Sequence, residues 1–139
     1  MNLFTYGSLM IPSVFLMITG KDLMPEKAYL QDYARYCLKN VTYPAIIHST
    51  GQSTEGILYR EIDDISIERL DAFEGKLYSR VPVFVFKTDG TSLSAMTYVL
   101  RHFFYDRLTD HSWSLTEFKE KHLEDFLENF EGFTRKDDI

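Results

Sequence analysis

Two short segments of this chain carry residue types that could do chemistry: Tyr6-Gly7-Ser8-Leu9 near the start and Leu70-Asp71-Ala72-Phe73-Glu74-Gly75 in the middle. In the first, a strand-like run ends at a glycine. Without a Cβ, Gly7 lets the backbone leave extended geometry. Successive N–H groups can then converge on a carboxylate or a developing oxyanion. The same four residues would also suit an ordinary strand-to-helix turn. In the second segment, a helical plot of residues 65–74 at about 100° per residue puts Ile65, Ile67, Leu70 and Phe73 on a wide apolar arc. Glu74 falls on that arc between Leu70 and Ile67, with Ser66 and Arg69 also inside it and Glu68 and Asp71 outside. Partial burial and the negative end of the helix dipole both disfavour an ionised carboxylate there and raise its pKa. Such a Glu can act as a general base and then as an acid near neutral pH. The alternative is a Glu that reaches solvent past the helix end.

Other chemistries find little support. His48, His102, His111 and His122 show no His-Glu-x-x-His or related metal spacing. The Tyr6–Leu9 segment has one glycine and no following Lys-Ser/Thr, so it is not a phosphate loop. No Gly-x-Ser-x-Gly elbow surrounds Ser8, which argues against a hydrolase serine. Cys37 is the only cysteine, which excludes an internal disulfide and a cysteine-built metal site; among Tyr36 and Leu38 it reads as a buried, inert thiol.

The elements that must position these segments follow from the punctuation of the chain. Residues 2–6 read as a strand ending at Gly7-Ser8, and Pro12 opens a helix that stops at Gly20. Residues 28–38 suggest an extended, kinked strand; Pro44 then interrupts before Ala45-Ile46-Ile47, and residues 55–62 form a further strand. Asp63-Asp64 caps the helix at 65–74, which Gly75 closes. Residues 78–87 are the clearest strand, with Pro82 pointing to a sheet edge or bulge; after the turn at Asp89-Gly90, its partner runs over 93–100. An aromatic, charged connection over 101–113 leads to an amphipathic helix over 115–130, carrying Leu115, Phe118, His122, Phe126 and Phe130 at helical spacing. The charged residues 131–139 read as a frayed tail.

At 139 residues, with 45% hydrophobic and 15% aromatic side chains, the chain suits one domain over 1–139. Strands without regular strand–helix alternation indicate an α+β fold, a small curved sheet or barrel with helices packed outside. A net charge of −6 repels phosphate backbones and anionic lipid, so neither nucleic acid nor a membrane is expected as a partner. The longest apolar runs are far short of the roughly 20 residues a membrane helix needs, and the opening residues do not resemble a leader. A cytoplasmic location is expected.

Taken in order, the segments resemble the gamma-glutamylcyclotransferase-like family, in its avirulence-induced-gene-like branch of gamma-glutamylamine cyclotransferase type. The likeness runs from Tyr6-Gly7-Ser8-Leu9 through Tyr43-Pro44-Ala45, Glu55-Gly56-Ile57-Leu58-Tyr59, Leu70–Gly75, Tyr78-Ser79-Arg80 and residues 95–99 to Trp113 and Phe118. The resemblance implies a mixed, barrel-like sheet with flanking helices and a cavity where the Tyr6–Leu9 turn meets Glu74. It implies Glu74 as the catalytic acid/base, Tyr6, Gly7, Ser8 and Leu9 as substrate-binding residues, and Tyr78 and Tyr98 as pocket lining. The implied enzyme needs no cofactor and no metal. It closes the glutamyl part of a small-molecule γ-glutamyl amine or amide to 5-oxoproline and releases the amine. Two other readings accompany it: a non-catalytic module on the same fold that binds a small molecule or a protein, and removal of a γ-glutamyl protecting group.

Overall fold

The first strand, β1 (Leu3–Thr5), is buried along its whole length because apolar layers cover both of its faces. A computed structural model of the chain describes residues 1–131 and 134–135. Around β1 are β2 (Glu26–Leu38), β3 (Pro44–Tyr59), β4 (Tyr78–Lys87), β5 (Ser92–Leu100) and β6 (Leu108–Ser112). The helices are α1 (Pro12–Thr19), α2 (Asp64–Glu74), α3 (Leu115–Lys121) and α4 (Leu123–Glu128). The sheet order is β3-β1-β5-β4-β2-β6, and β2 pairs a second time with β3. That second pairing closes the first five strands into a barrel and leaves β6 attached outside. Only β1 and β5 run parallel; the other pairings are antiparallel, so the barrel is mixed.

Two apolar clusters follow from strand alternation. Phe4, Tyr6, Ala28, Leu30, Ile46, Leu58, Val85 and Ala95 form one. Leu3, Tyr59, Tyr78, Tyr98 and Leu100 belong to the other, with Val14, Phe15 and Ile18 of α1, Ile67, Leu70 and Phe73 of α2, and Phe118 and Phe126 of the last two helices. Phe15 stacks on Tyr59 with ring centroids 3.9 Å apart, joining α1 to β3.

Strand β3 is long and has to bend. The β2–β3 register slips between Gln31 and Tyr33, so the residues after His48 and before Ser53 face Asp32. Asp32 and Gly51 both take positive φ there, 66° and 87°, and the Gly51 N–H donates to Asp32 Oδ1 at 2.9 Å. After the bend, β3 returns past β1 at Gly56. A Cβ at Gly56 would run into the Thr5 carbonyl oxygen and the Phe4 ring.

Several expectations from the sequence need correction. Pro44 does not interrupt a strand but begins one, at a position where proline's missing N–H is tolerated. Residues 44–62 therefore hold one continuous strand rather than two. Ile65 is 62% exposed, and Ser66 takes its place on the buried side of α2. The 101–113 connection contains a 3-10 turn (His102–Arg107) and β6, which pairs with β2 at Tyr36–Ser112 and Leu38–Leu108. The helix expected over 115–130 breaks at His122, whose φ of −128° is not helical. Phe118 and Phe126 pack within this chain, edge to face with each other. Of the tail at 131–139, residues 132–133 and 136–139 lie outside the described residues; Glu131 pairs through β7 (Phe130–Glu131) with β8 (Thr134–Arg135).

Replacing Gly56 by Ala should destabilise the fold by about 1–3 kcal/mol, the usual range for overpacking a tight site. Urea unfolding should show a lower midpoint at an unchanged slope. An unchanged midpoint would contradict this account of barrel closure.

Candidate active site

A narrow pocket opens where β1 ends. Phe4, Thr5, Tyr6, Gly7, Ser8, Leu9, Tyr43, Pro44, Glu74, Tyr78 and Tyr98 line it, so all five residues singled out from the sequence meet in one cavity. Tyr78 and Tyr98, named as lining positions, are there too. Tyr43, Pro44, Phe4 and Thr5 were not assigned to the site beforehand.

After β1 the chain turns through a short 3-10 segment (Ser8–Met10) into α1, whose first residue is Pro12. Gly7 has φ −127° and ψ −136°, a pair outside the extended and right-handed helical regions, and it also lacks space for a side chain. A Cβ at Gly7 would lie 3.0 Å from both Cγ and Cδ of Pro44. Real Cβ atoms seldom come so near, and the proline ring has little freedom to retreat.

Every carbonyl of the turn is already taken. Tyr6 O accepts from Arg35 Nη1 at 2.8 Å, and Gly7 O accepts from the Met10 N–H at 2.9 Å. Ser8 O accepts from the Ile11 N–H at 3.1 Å, and Leu9 O from the Tyr59 hydroxyl at 2.9 Å. The donors of Gly7, Ser8 and Leu9 take no part in these bonds. The backbone polarity the turn retains is therefore that of N–H groups, which favours an anion or a developing oxyanion.

The tyrosines act as a frame. Tyr6 donates its hydroxyl to the Tyr98 carbonyl, and Tyr78 donates to the Pro44 carbonyl at 2.7 Å. Tyr98 donates to Asp71 Oδ1 at 2.7 Å, and Asp71 is held in turn by Arg80 at 3.0 Å. With its proton committed to Asp71, the Tyr98 hydroxyl oxygen keeps a lone pair that can accept a bond from a ligand. Burial, then the bond to Asp71, then the charge of Glu74 push the Tyr98 phenol far above its ordinary pKa; burial does the same to Tyr59. Both stay neutral at any physiological pH.

Glu74 is delivered by α2. Asp63 caps that helix by accepting from the Ser66 N–H at 3.0 Å, and Gly75 ends it at φ 74°, a value that suits glycine. Ser66, Ile67, Leu70 and Phe73 are buried, which turns the last residue, half-buried Glu74, into the pocket. Among the described residues it is the only charged side chain lining the cavity. Among the described residues, no group of three His, Cys, Asp or Glu is placed to hold a metal ion. Cys37 is half-buried and lies elsewhere, in a cavity with His122 and Glu117. Burial, and secondarily the charge of Glu117, raise its thiol pKa, which keeps it protonated and unreactive.

Arg35 and Tyr59, which hold two of the turn carbonyls, were not anticipated. A cation within the apolar run of residues 28–38 was the available signal for Arg35. Nothing in the sequence distinguished Tyr59 from the other tyrosines. No helix among the described residues is long and apolar enough to cross a membrane.

Comparison with known proteins bears on the family and the fold. Residues 3–118 match the family described as gamma-glutamyl cyclotransferase, AIG2-like. The chain is 32% identical to Protein AIG2 C of Arabidopsis thaliana over 130 residues, which cover 93% of this chain and 78% of that one. A solution structure of another Arabidopsis thaliana protein superposes with a TM-score of 0.72 at 30% identity, covering 91% of this chain and 77% of that one. The crystal structure of an AIG2-like protein from Mus musculus shares the fold, with a TM-score of 0.66 at 19% identity over 84% of this chain and 88% of that one.

The buried tyrosines predict a pH dependence. A free phenol titrates near pH 10. Tyr59 and Tyr98 resist ionisation in the folded state, so the folded chain holds protons that the unfolded chain has lost above that pH. Stability is therefore complete below about pH 10 and falls as pH rises beyond it. Absorbance titration of the phenols should show Tyr59 and Tyr98 ionising only as the protein unfolds, with each Tyr→Phe variant identifying its share. Smooth ionisation of all nine tyrosines near pH 10 in the folded protein would contradict the framework.

Proposed function

The chain belongs to the gamma-glutamyl cyclotransferase, AIG2-like family, and from that premise we propose that it is a cofactor-independent gamma-glutamylcyclotransferase. Its substrate is a small γ-glutamyl amine or amide, and its products are 5-oxoproline and the free amine. The observation that supports this reading is the meeting of Glu74 with the donor-rich turn Tyr6–Leu9 in one tyrosine-framed pocket.

Glu74 takes a proton from the substrate's α-ammonium. The freed amine attacks the γ-carbonyl carbon of the same molecule and forms the C–N bond of a five-membered lactam. The carbonyl electrons pass briefly to oxygen and return as the original amide C–N bond breaks. Glu74 gives its proton to the departing amine, and the ring nitrogen sheds its second proton to solvent to leave the neutral lactam. Nucleophile and electrophile share one molecule, so holding them in contact supplies much of the rate; effective molarities can reach about 10⁵ M or more. The N–H groups of Gly7, Ser8 and Leu9 bind the substrate carboxylate or the oxyanion, and the Tyr98 hydroxyl oxygen accepts from the ammonium.

Substituting Glu74 by Gln keeps the shape of the side chain and removes its basicity. The expected result is loss of 5-oxoproline formation by at least about 100-fold, with thermal unfolding nearly unchanged. Mass spectrometry should detect 5-oxoproline from wild-type protein offered a panel of γ-glutamyl amines, dipeptides and lysine isopeptides. Equal turnover by the Gln variant would remove Glu74 from the mechanism. A product-free panel with wild type would leave the fold as a binding module.

A further inference from the structure

A second cavity is joined to the first by a hydrogen bond. An open, polar groove of about 710 Å³ is lined by Arg35 and Glu55, by Gln52, Ser53, Thr54 and Ser112, and by Trp113 among others. Arg35 links the two cavities. Its Nη1 donates to the carbonyl of Tyr6, a residue of the Glu74 pocket, at 2.8 Å, and more weakly to the carbonyl of Glu55 at 3.3 Å. Its guanidinium lies over the Trp113 ring, 5.3 Å from the centroid. The ring is itself fixed, because Trp113 Nε1 donates to the Thr42 carbonyl at 2.8 Å.

What remains unused is informative. Among the described residues, Nη2 and Nε of Arg35 have no hydrogen-bond partner, and no carboxylate lies within ion-pair distance of the guanidinium. A half-buried cation with one edge tied to backbone and the other edge free is an unfinished arrangement, since buried charge is ordinarily paired. Burial disfavours the charged form and lowers the Arg35 pKa from its ordinary value, a cost that a bound anion would reverse. The free edge offers parallel N–H groups, the geometry that matches a carboxylate in bidentate fashion. Among the described residues Glu55 is the only other charged residue of the groove; Lys27 partners it at 3.6 Å, and its charge also acts on Arg35, opposing the effect of burial. With Glu55 shared between two cations, the groove suits a monoanion better than a dianion such as phosphate.

We propose that this groove is a carboxylate-binding subsite, with Arg35 as its anchor and Trp113 as its platform. The carboxylate has two sources that share this chemistry: the amine half of the substrate itself, which rests on the cyclotransferase reading, or a free small carboxylate that does not.

Trp113 is the only tryptophan in the chain, so its emission has one source; it lines this groove and also the cavity of Cys37, and the Arg35 variants tell binding at the two apart. Two pairs of probes, differing only in the charged group, separate the possibilities: N-acetylglycine against N-acetylglycinamide, and γ-glutamylglycine against γ-glutamylglycinamide. Each is titrated against wild-type protein, against the catalytically impaired Glu74→Gln protein for the γ-glutamyl pair, and against Arg35→Gln. The acid of at least one pair should shift Trp113 emission saturably and bind at least about tenfold more tightly than its amide, a difference of 1.4 kcal/mol. Arg35→Gln should erase that preference, and Arg35→Lys should restore part of it. A preference confined to the γ-glutamyl pair identifies the substrate's own amine half, and one seen also with N-acetylglycine identifies a site open to free carboxylates. If acids and amides of both pairs bind equally, or none moves the emission of the wild-type protein, the subsite does not exist. Because the N-acetyl pair is read without turnover, that outcome is distinct from a failure to form 5-oxoproline.

Discussion

The structure depends on how closely β1 and its exit turn approach β3 at two places far apart along that strand. Near the end of β3, Gly56 leaves room for the Thr5 carbonyl and the Phe4 ring; at its beginning, the Pro44 ring occupies the space where a side chain on Gly7 would stand. One strand can meet β1 twice only if it bends, and the Asp32–Gly51 bulge supplies the bend with two residues in left-handed torsions. Barrel closure and the path of the turn are thus one constraint. The central strand is held where it ends, and the pocket forms at that point.

The chemistry of the site follows from where polar groups are satisfied. Four protein donors occupy the four carbonyls of Tyr6, Gly7, Ser8 and Leu9, so the turn retains its N–H groups. A hydroxyl from each of Tyr6, Tyr59, Tyr78 and Tyr98 fixes a neighbouring segment. Buried hydrogen bonds of this kind are each worth only about 1 kcal/mol net. Their larger effect is preorganisation, since they leave donors and lone pairs pointing where no reorganisation is needed during reaction. Helix α2 is coupled to the same frame through Asp71, which meets Tyr98 of β5 and Arg80 of β4 one turn before Glu74.

Much of this could be read in the chain before any coordinates. Pro12 with Gly20, and Asp63 with Gly75, bracket α1 and α2 because start and stop signals act locally. The β4 bounds emerge from a run rich in β-branched and aromatic residues around Pro82. The meeting of Glu74 with the Tyr6–Leu9 turn followed from family resemblance, not from periodicity, which wrongly put Ile65 on the buried arc. The remainder depends on tertiary contacts that leave no local mark. β6 is an edge strand with exposed residues and therefore no alternation to detect. Pro44 looks like a breaker until its place at the first position of a strand is known. The break at His122 interrupts a helical period that is otherwise continuous across α3 and α4. Gly7 reads as a torsional requirement, and the steric one beside it is revealed only by the position of Pro44.

The contact between Gly7 and Pro44 offers the most direct test. Gly7→Ala should displace the turn, because the new methyl meets the Pro44 ring, and Pro44→Ala in the same chain should relieve the clash. The amide chemical shifts of Ser8 and Leu9 report turn geometry without reference to activity. The account predicts large shifts for both amides in Gly7→Ala and a return toward wild-type values in the Gly7→Ala/Pro44→Ala double variant. Unmoved amides in Gly7→Ala, or displacement that persists after the ring is removed, would show that something other than the Gly7–Pro44 contact sets the turn.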